Sequence, residues 1–514
     1  MRTGMSDNSP LVGDGKLAGS DVCASAPGPS GGGERAGKEL TNRSLTDYFR
    51  CDEALARFKL AEGISGPHGY FRFGEDTICY GQLSTGRVAR SLQQPLPEAA
   101  ASIETNGAAL IFPFDPSQVV EDLRREHYVP TLVHGRERVL SHEWARHVYY
   151  FVRDVLPTPV RRSLQRAYFS DWKTRPFPAW PVDFTVDTIH EKTLLLSMRA
   201  AGLERAPFIW FWPEGAPSCL ILTHDVETAV GRDSSSDLMD LDDAYGFKAS
   251  FQVVPEKRYE VSSSYVQEIS SRGFEFNVHD LNHDGRLYLQ REEFLRRAKQ
   301  INQYASGYHA RGFRAGSMYR IQDWYDAYEF SYDMSVPNVA HLEAKRGGCC
   351  TVFPYFVGQI LELPLTTCQD YSVFHILRDY SLEIWKRQID LIRQRNGMIS
   401  ILAHPDYLTG RRMRASYVAL LDYLRHRVDG EGLWAALPGD VDRWWRARSQ
   451  MRLVPRGNSW EIVGPESERA RLAYAVSHGD HLKFELAAAP SPRDLACASP
   501  RAASRPDPVQ RCSS

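Results

Sequence analysis

Between Ser218 and Leu437 compact apolar runs alternate with segments of helical period. The runs are CLILTHD, ASFQVVP, FEFNVHD, GFRAG, SYDMSVP, QILELPL, MISILAH and LWAALPG. Between them lie SSSYVQEISSRG, REEFLRRAKQINQYA, SLEIWKRQIDLIRQRNG and ASYVALLDYLRHRV. Short apolar runs read as buried strands, and apolar positions spaced three to four apart read as helices. Strand then helix, repeated seven or eight times over about 220 residues, predicts an α/β fold in which parallel strands close into a distorted (β/α) barrel, here residues 216–450. An open doubly wound sheet is the alternative, but the Gly-rich phosphate turn expected of nucleotide binders on that fold is absent.

Outside this stretch the pattern loosens. Residues 43–215 mix strand-like pieces (GYFRFG, DTICYGQL, AALIFPF) with helical stretches near 116–126, 142–154 and 159–169, predicting an N-terminal mixed α/β accessory domain. Its aromatic close, RPFPAWPVDF then IWFWPEGAPS, reads as an interface plug, with a sugar-stacking platform at Trp210 and Trp212 as the alternative. After a helix in DVDRWWRARSQM, the pieces RLVPRG, SWEIVG, RLAYAVSH and HLKFEL predict a small β appendage over 451–486. Residues 1–42 and 487–514 are rich in Gly, Ala, Ser and Pro and are expected to be disordered tails, because neither buries enough apolar surface to offset its ordering entropy.

Composition narrows the function classes. A chain of 514 residues that is 43% hydrophobic buries a large core and exceeds one ordinary domain. A formal net charge of -2 gives no field to draw in nucleic acid, so no nucleic-acid partner is expected. The 9 cysteines are scattered, without a Cys-x-x-Cys pair, which reads as reduced thiols, the adjacent Cys349 and Cys350 included. Neither a signal-peptide core nor a membrane-length apolar stretch is present, so the expectation is a cytoplasmic protein without a membrane span.

The chemistry-bearing residues fall at predicted strand ends, where a barrel of this kind collects its functional side chains. Asp225 and Glu227, in Thr223-His-Asp-Val-Glu227, are two apart and share a face of a continuing strand, so one carboxylate can bind a metal while the other serves as base. His279 and His283 follow the third strand, and their spacing of four brings both imidazoles to one side of a single helical turn. Two His and a carboxylate are a familiar ligand set for catalytic zinc. His404, in Leu402-Ala-His404-Pro-Asp406, ends a late strand and suits a general acid. Arg314 and Asp333 end the strands between. A competing pattern, Asp280-Leu-Asn-His-Asp284-Gly, looks like the start of a calcium loop, but its twelfth position is Arg291 and a strand precedes it, so calcium binding is not expected.

Taken in order, THDVE, HDLNH, FRAGSMY, YDMSVP and LAHPD resemble the five motifs of the polysaccharide deacetylases, carbohydrate esterase family four, whose domain is also called the NodB-homology domain. The resemblance covers about residues 218–440. It implies a metal-dependent hydrolase that removes N- or O-linked acetyl groups from a carbohydrate polymer or oligosaccharide. It also implies a divalent metal, usually zinc, on Glu227, His279 and His283, with Asp225 as base and Arg314 orienting it. His404 would protonate the leaving group, Asp333 would support His404, and Leu402 would line the pocket for the acyl methyl, with Tyr319 of the third motif beside the substrate. The chain departs from the family in having Glu at 227, Val226 between its carboxylates, and Ala-Gly after Arg314 where prolines are usual. These departures bear on the substrate more than on the chemistry. An amidase acting on a small or cyclic amide is the alternative enzyme, and a non-catalytic glycan-binding or assembly protein the alternative of another class.

Overall fold

A computed structural model of the chain describes residues 39–107, 109–132, 157–457 and 459–487. The expected helix at 142–154 and nearly all of the two expected tails lie outside the described residues. All eight residues of Cys219–Val226 are buried, the signature of a strand covered on both faces, and the main sheet is built around it. Its strands are β1 (Cys219–Val226), β2 (Ser250–Val253), β3 (Glu275–His279), β4 (Gly312–Arg314), β5 (Tyr332–Asp333), β6 (Tyr355–Val357), β7 (Ile360–Glu362), β8 (Met398–Ala403) and β9 (Trp434–Ala435). Their order is β6-β7-β5-β4-β3-β2-β1-β8, with β9 paired to the start of β1. Every pairing is parallel except the short β6–β7 hairpin.

Eight of these nine strands are the eight runs read from the sequence; β6 is the addition. The helices between them follow their periods. In Glu383–Gln394 the buried positions are Trp385, Gln388, Ile389 and Ile392, one stripe at helical spacing. Ser262 caps Ser263–Ser271 by accepting from the Tyr265 amide.

The expected closed barrel is corrected in one respect. Among the described residues β6 and β8 do not pair, and the sheet curls without closing. Threonine hydroxyls take the place of another strand along β8. Thr366 Oγ1 donates to Met398 O (2.8 Å) and accepts the Ser400 amide (2.9 Å), and Thr367 Oγ1 donates to Ser400 O (2.7 Å). The backbone groups of Met398 and Ser400 on that side are therefore satisfied without a ladder.

The N-terminal segment has its own apolar cluster, with Phe71, Phe112, Phe114, Val120, Leu123 and Ile189 among its buried members. Helix Pro116–Arg124 starts on Asp115, which accepts from the Ser117 and Gln118 amides, with proline in the first turn. Strand Arg205–Ile209 pairs antiparallel with Leu472–His478, so the end of this segment and the C-terminal strands share one sheet. Trp212 is fully buried, lies flat on Phe353 and donates its indole N–H to Asn396 O (2.6 Å). Trp210 is 4% exposed, so neither ring is a surface for sugar. Cys51, Cys79, Cys219, Cys349, Cys350 and Cys368 are buried and unbridged, and burial pushes the Cys51 thiol up to about 12.

Candidate metal centre

The carboxyl ends of β1, β3, β4 and β8 meet around one small polar space. β1 delivers Asp225 and, one residue past its end, Glu227. β3 ends at His279. From there the chain leaves through a loop, not the helical turn expected: Asp280 (φ 56°) and His283 (φ 53°) adopt left-handed backbone, which brings the second imidazole back over the first. Ring centroids of His279 and His283 are 4.9 Å apart.

Glu227, His279 and His283 each offer a ligand atom, and these atoms lie within 4.8 Å of one another. Glu227 Oε1 is 2.9 Å from His283 Nε2 and 3.6 Å from His279 Nε2. Both Nε2 atoms are buried, and neither has a hydrogen bond of acceptable geometry. His279 Nδ1 is 3.0 Å from the Arg314 carbonyl, which fixes its N–H there and leaves the Nε2 lone pair facing Glu227. Two orphaned imidazole nitrogens converging on one carboxylate fit a divalent cation, because the burial of unpaired acceptors is otherwise a cost without return.

Asp225 is held beside this group by a buried guanidinium. Arg314 is fully buried and donates from Nη1 to Asp225 Oδ1 (2.8 Å) and Thr223 Oγ1 (3.0 Å), and from Nε to Met334 O (2.9 Å). The other oxygen, Oδ2, lies 3.7 Å from His279 Nε2. Burial alone would raise the Asp225 carboxyl; Arg314, then His279 and His404, outweigh it and hold it below its ordinary value. Glu227 is likewise held well below its ordinary value, burial being outweighed by His283 and by the close approach of His279 and His404.

His404 follows β8 and faces the same space, its Nε2 3.6 Å from Glu227 Oε1. Its partner is Asp370. The Asp370 carboxylate accepts from His404 Nδ1 (2.6 Å) and from the His404 amide (2.7 Å). Burial opposes the charge, but Asp370 wins and raises the imidazole well above its ordinary value.

No protein-family model matches the chain. No curated protein matches it either. Among solved structures a match is to a protein from Mycobacterium smegmatis named as a polysaccharide deacetylase, at 16% identity over 49% of this chain and 98% of that one, with a TM-score of 0.37. Puue allantoinase follows at 15% identity over 46% and 92% of the chains, TM-score 0.36. A CE4 family pseudoenzyme from Bacillus anthracis matches at 14% identity over 44% and 65%, TM-score 0.27. Polysaccharide deacetylases are among the proteins this chain is similar to.

The structure thus brings Asp225, Glu227, His279, His283, Arg314 and His404 together. Asp333 stands apart, and its expected support of His404 is corrected: it accepts from Tyr325 Oη (2.8 Å) and from the amide and hydroxyl of Ser335 (3.0 and 2.8 Å). Ser335 in turn accepts the Ala315 amide (2.8 Å), so Asp333 braces the chain just after Arg314. Leu402 is fully buried in a small cluster with Met318 and Leu365. Tyr319 belongs to a different apolar cluster, which also contains Val278, Phe294 and Phe313. In the calcium-like loop Asp284 is engaged by Arg297 Nη1 and Nη2 (2.8 and 2.9 Å). Asp370 is the functional-site residue that the sequence reading missed. Its one signal in the sequence is position, an acid soon after the QILELPL run.

Proposed function

We propose that this chain is a metal-dependent hydrolase that removes acetyl groups from a carbohydrate polymer or oligosaccharide, as a divergent relative of the family four carbohydrate esterases. The observation that supports it best is the convergence, at one sheet end, of a three-donor metal set with a carboxylate on an arginine and an imidazole on a carboxylate. Each of the two last pairs is biased toward the protonation state its role demands. The class of substrate rests on the five-motif resemblance.

A divalent cation bound by Glu227, His279 and His283 would polarise the acyl carbonyl and acidify water toward a pKa of roughly 7. Asp225 is the base. Arg314 occupies its Oδ1 and leaves Oδ2 facing the site, so it stays ionised and takes the proton of the attacking water through that atom. His404 is the acid. With Nδ1 on Asp370, its raised basicity keeps Nε2 protonated and directed toward the departing amine or alkoxide. Thr223 and Met334 fix Arg314, so the base is oriented before substrate arrives. Activity needs Asp225 ionised and His404 protonated. A lowered base and a raised acid place the two limbs of the pH profile far apart, and the expected form is a broad plateau.

The test is metal content of the purified protein beside His279→Ala/His283→Ala, with acetate release from N-acetylated and O-acetylated oligosaccharides measured on both. About one equivalent of zinc in the wild type, lost together with acetate release in the variant, supports the reading. Metal without acetate release moves the search to other amides, cyclic ones included. Wild type that takes up no metal after reconstitution refutes it.

A further inference from the structure

The loop that follows Arg314 lies against the metal set and is strained. Gly316 packs so closely that a Cβ there would meet Asp280 Oδ2 at 2.5 Å and His283 Cδ2 at 2.8 Å. The next two residues, Ser317 (φ 55°) and Met318 (φ 54°), hold left-handed backbone without being glycine, which costs roughly 1 kcal/mol or more each. Where this loop rests sets where the His283 ring can stand. Something must hold it.

The holder comes from the N-terminal segment. Glu126, just past helix Pro116–Arg124, is buried against Arg320, and the two side chains are 1% and 0% exposed. Arg320 Nε donates to Glu126 Oε2 (2.9 Å), and its Nη2 reaches Oε1. From its third nitrogen, Nη1, Arg320 donates to Met318 O (2.6 Å) and so grips the strained loop directly. Glu126 also accepts the Gly348 amide (2.7 Å) and lies 3.4 Å from Lys345 Nζ, which donates to the Arg320 carbonyl. Gly347 (φ 118°) leaves no room beside Glu126; a Cβ there would stand 2.6 Å from Oε1. The carboxylate is therefore ringed by donors, and every donor belongs to the half of the chain that carries the metal set.

We infer that Glu126 is a positioning residue for the metal centre. Through Arg320 it pins the Gly316–Met318 loop against His283, so the N-terminal segment completes the site and is not a detachable accessory. The inference rests on the reading that Glu227, His279 and His283 hold a metal. It adds that affinity and ligand geometry depend on a carboxylate outside the resembling stretch.

The experiment uses the full chain, stripped of metal and titrated with Co2+, reading both affinity and the visible spectrum. Glu126→Gln keeps the shape but replaces an acceptor with a donor facing Arg320. It is expected to weaken Co2+ binding by about 10- to 100-fold and to change the spectrum, as loss of a group that orients ligands does. Glu126→Asp should restore part of both. Lys345→Ala, at the partly exposed rim of the cluster, should fold readily and weaken binding by a smaller factor. The control is Glu191→Gln, which weakens a partly buried pair with Arg395 (2.8 Å) elsewhere, and which should lower the melting temperature while leaving affinity within about twofold. Wild-type Co2+ binding in both Glu126→Gln and Lys345→Ala overturns the inference, with Lys345→Ala deciding alone if Glu126→Gln does not fold. So does a loss of affinity in Glu191→Gln equal to that in Glu126→Gln at the same loss of stability. Wild type that takes up no Co2+ overturns the metal reading and this inference with it, whereas tight uptake by the wild type, matched in affinity by Glu126→Gln and Lys345→Ala, overturns the inference alone.

Discussion

Two regions of this molecule treat their carboxyl groups in opposite ways, although Asp225 in one and Asp187 in the other are both buried. At the strand ends Asp225 and Glu227 are held below their ordinary values by Arg314 and the imidazoles. At the seam where helix Thr185–Ala200 meets the segment Cys350–Phe353, Asp187 is pushed up to about 7 by burial. There its partners are the Thr351 hydroxyl (2.5 Å) and the Val352 amide (3.2 Å). Arg395 and Arg124 act on it only from a distance and do not outweigh desolvation. The difference lies in the reach of a cation, since neutral donors do not repay the burial of a charge. A buried acid is thus held in its ionised form at one place and shifted toward its neutral form at the other.

The largest effect should come from destroying the charged side of that contrast. Asp225→Asn leaves the three candidate metal donors and the Arg314 contact in place but removes the proposed base. Acetate release should fall by about 1000-fold with metal content unchanged. Near-normal turnover in this variant would assign the base elsewhere. Next comes Asp370→Asn, expected to cost roughly 100-fold. Its pH profile carries the sign. Asp370 raises His404, so without it the imidazole loses its proton at lower pH, and the alkaline limb of the turnover profile should move down. An alkaline limb that stays in place would show that His404 is not the acid. A smaller effect is expected at Gly316→Ala, where the new methyl collides with His283 and Asp280 while leaving every donor present. Metal affinity should drop by about tenfold with the fold retained by circular dichroism.

The same contrast explains what was legible in the sequence. The strand-and-helix alternation was readable because runs such as CLILTHDV are buried along their whole length and the helical stripes keep their period. Glu227, His279 and His283 were readable because their spacing on two strand ends is a local property. The route from His279 to His283 was not, because spacing of four suits a helical turn equally well, and only the left-handed residues Asp280 and His283 reveal a loop. Asp370 and Glu126 were hidden for a different reason. Each acts across a long loop or a chain crossing, from 370 to 404 and from 126 to 320, and nothing in the neighbouring sequence marks an acid as facing a distant base. The open seam between β6 and β8 belongs here too, since Thr366 and Thr367 read as ordinary loop residues until their hydroxyls are seen on β8.

The mildest test works on the neutral side and reads stability alone. Asp187 binds its proton more tightly in the folded chain than in the unfolded one, where its pKa is 3.8. Below about pH 4 both states are protonated and the residue is neutral in its effect on folding. As pH rises from about 4 to 7 the unfolded chain ionises while the folded chain holds its proton, so this residue subtracts stability progressively and reaches its full cost above 7. Asp187→Asn removes that proton exchange without removing the contacts. Its Oδ1 can accept the Val352 amide, and its Nδ2 can donate to Thr351 Oγ1, which turns to accept. The variant should therefore match the wild type near pH 4 and be more stable at pH 8, by on the order of 2 kcal/mol once relaxation around the charge is allowed. Urea unfolding at the two pH values measures the difference. A gap that is the same at both would mean that Asp187 stays ionised at the seam, and that the Arg395 and Arg124 charges reach it as effectively as Arg314 reaches Asp225.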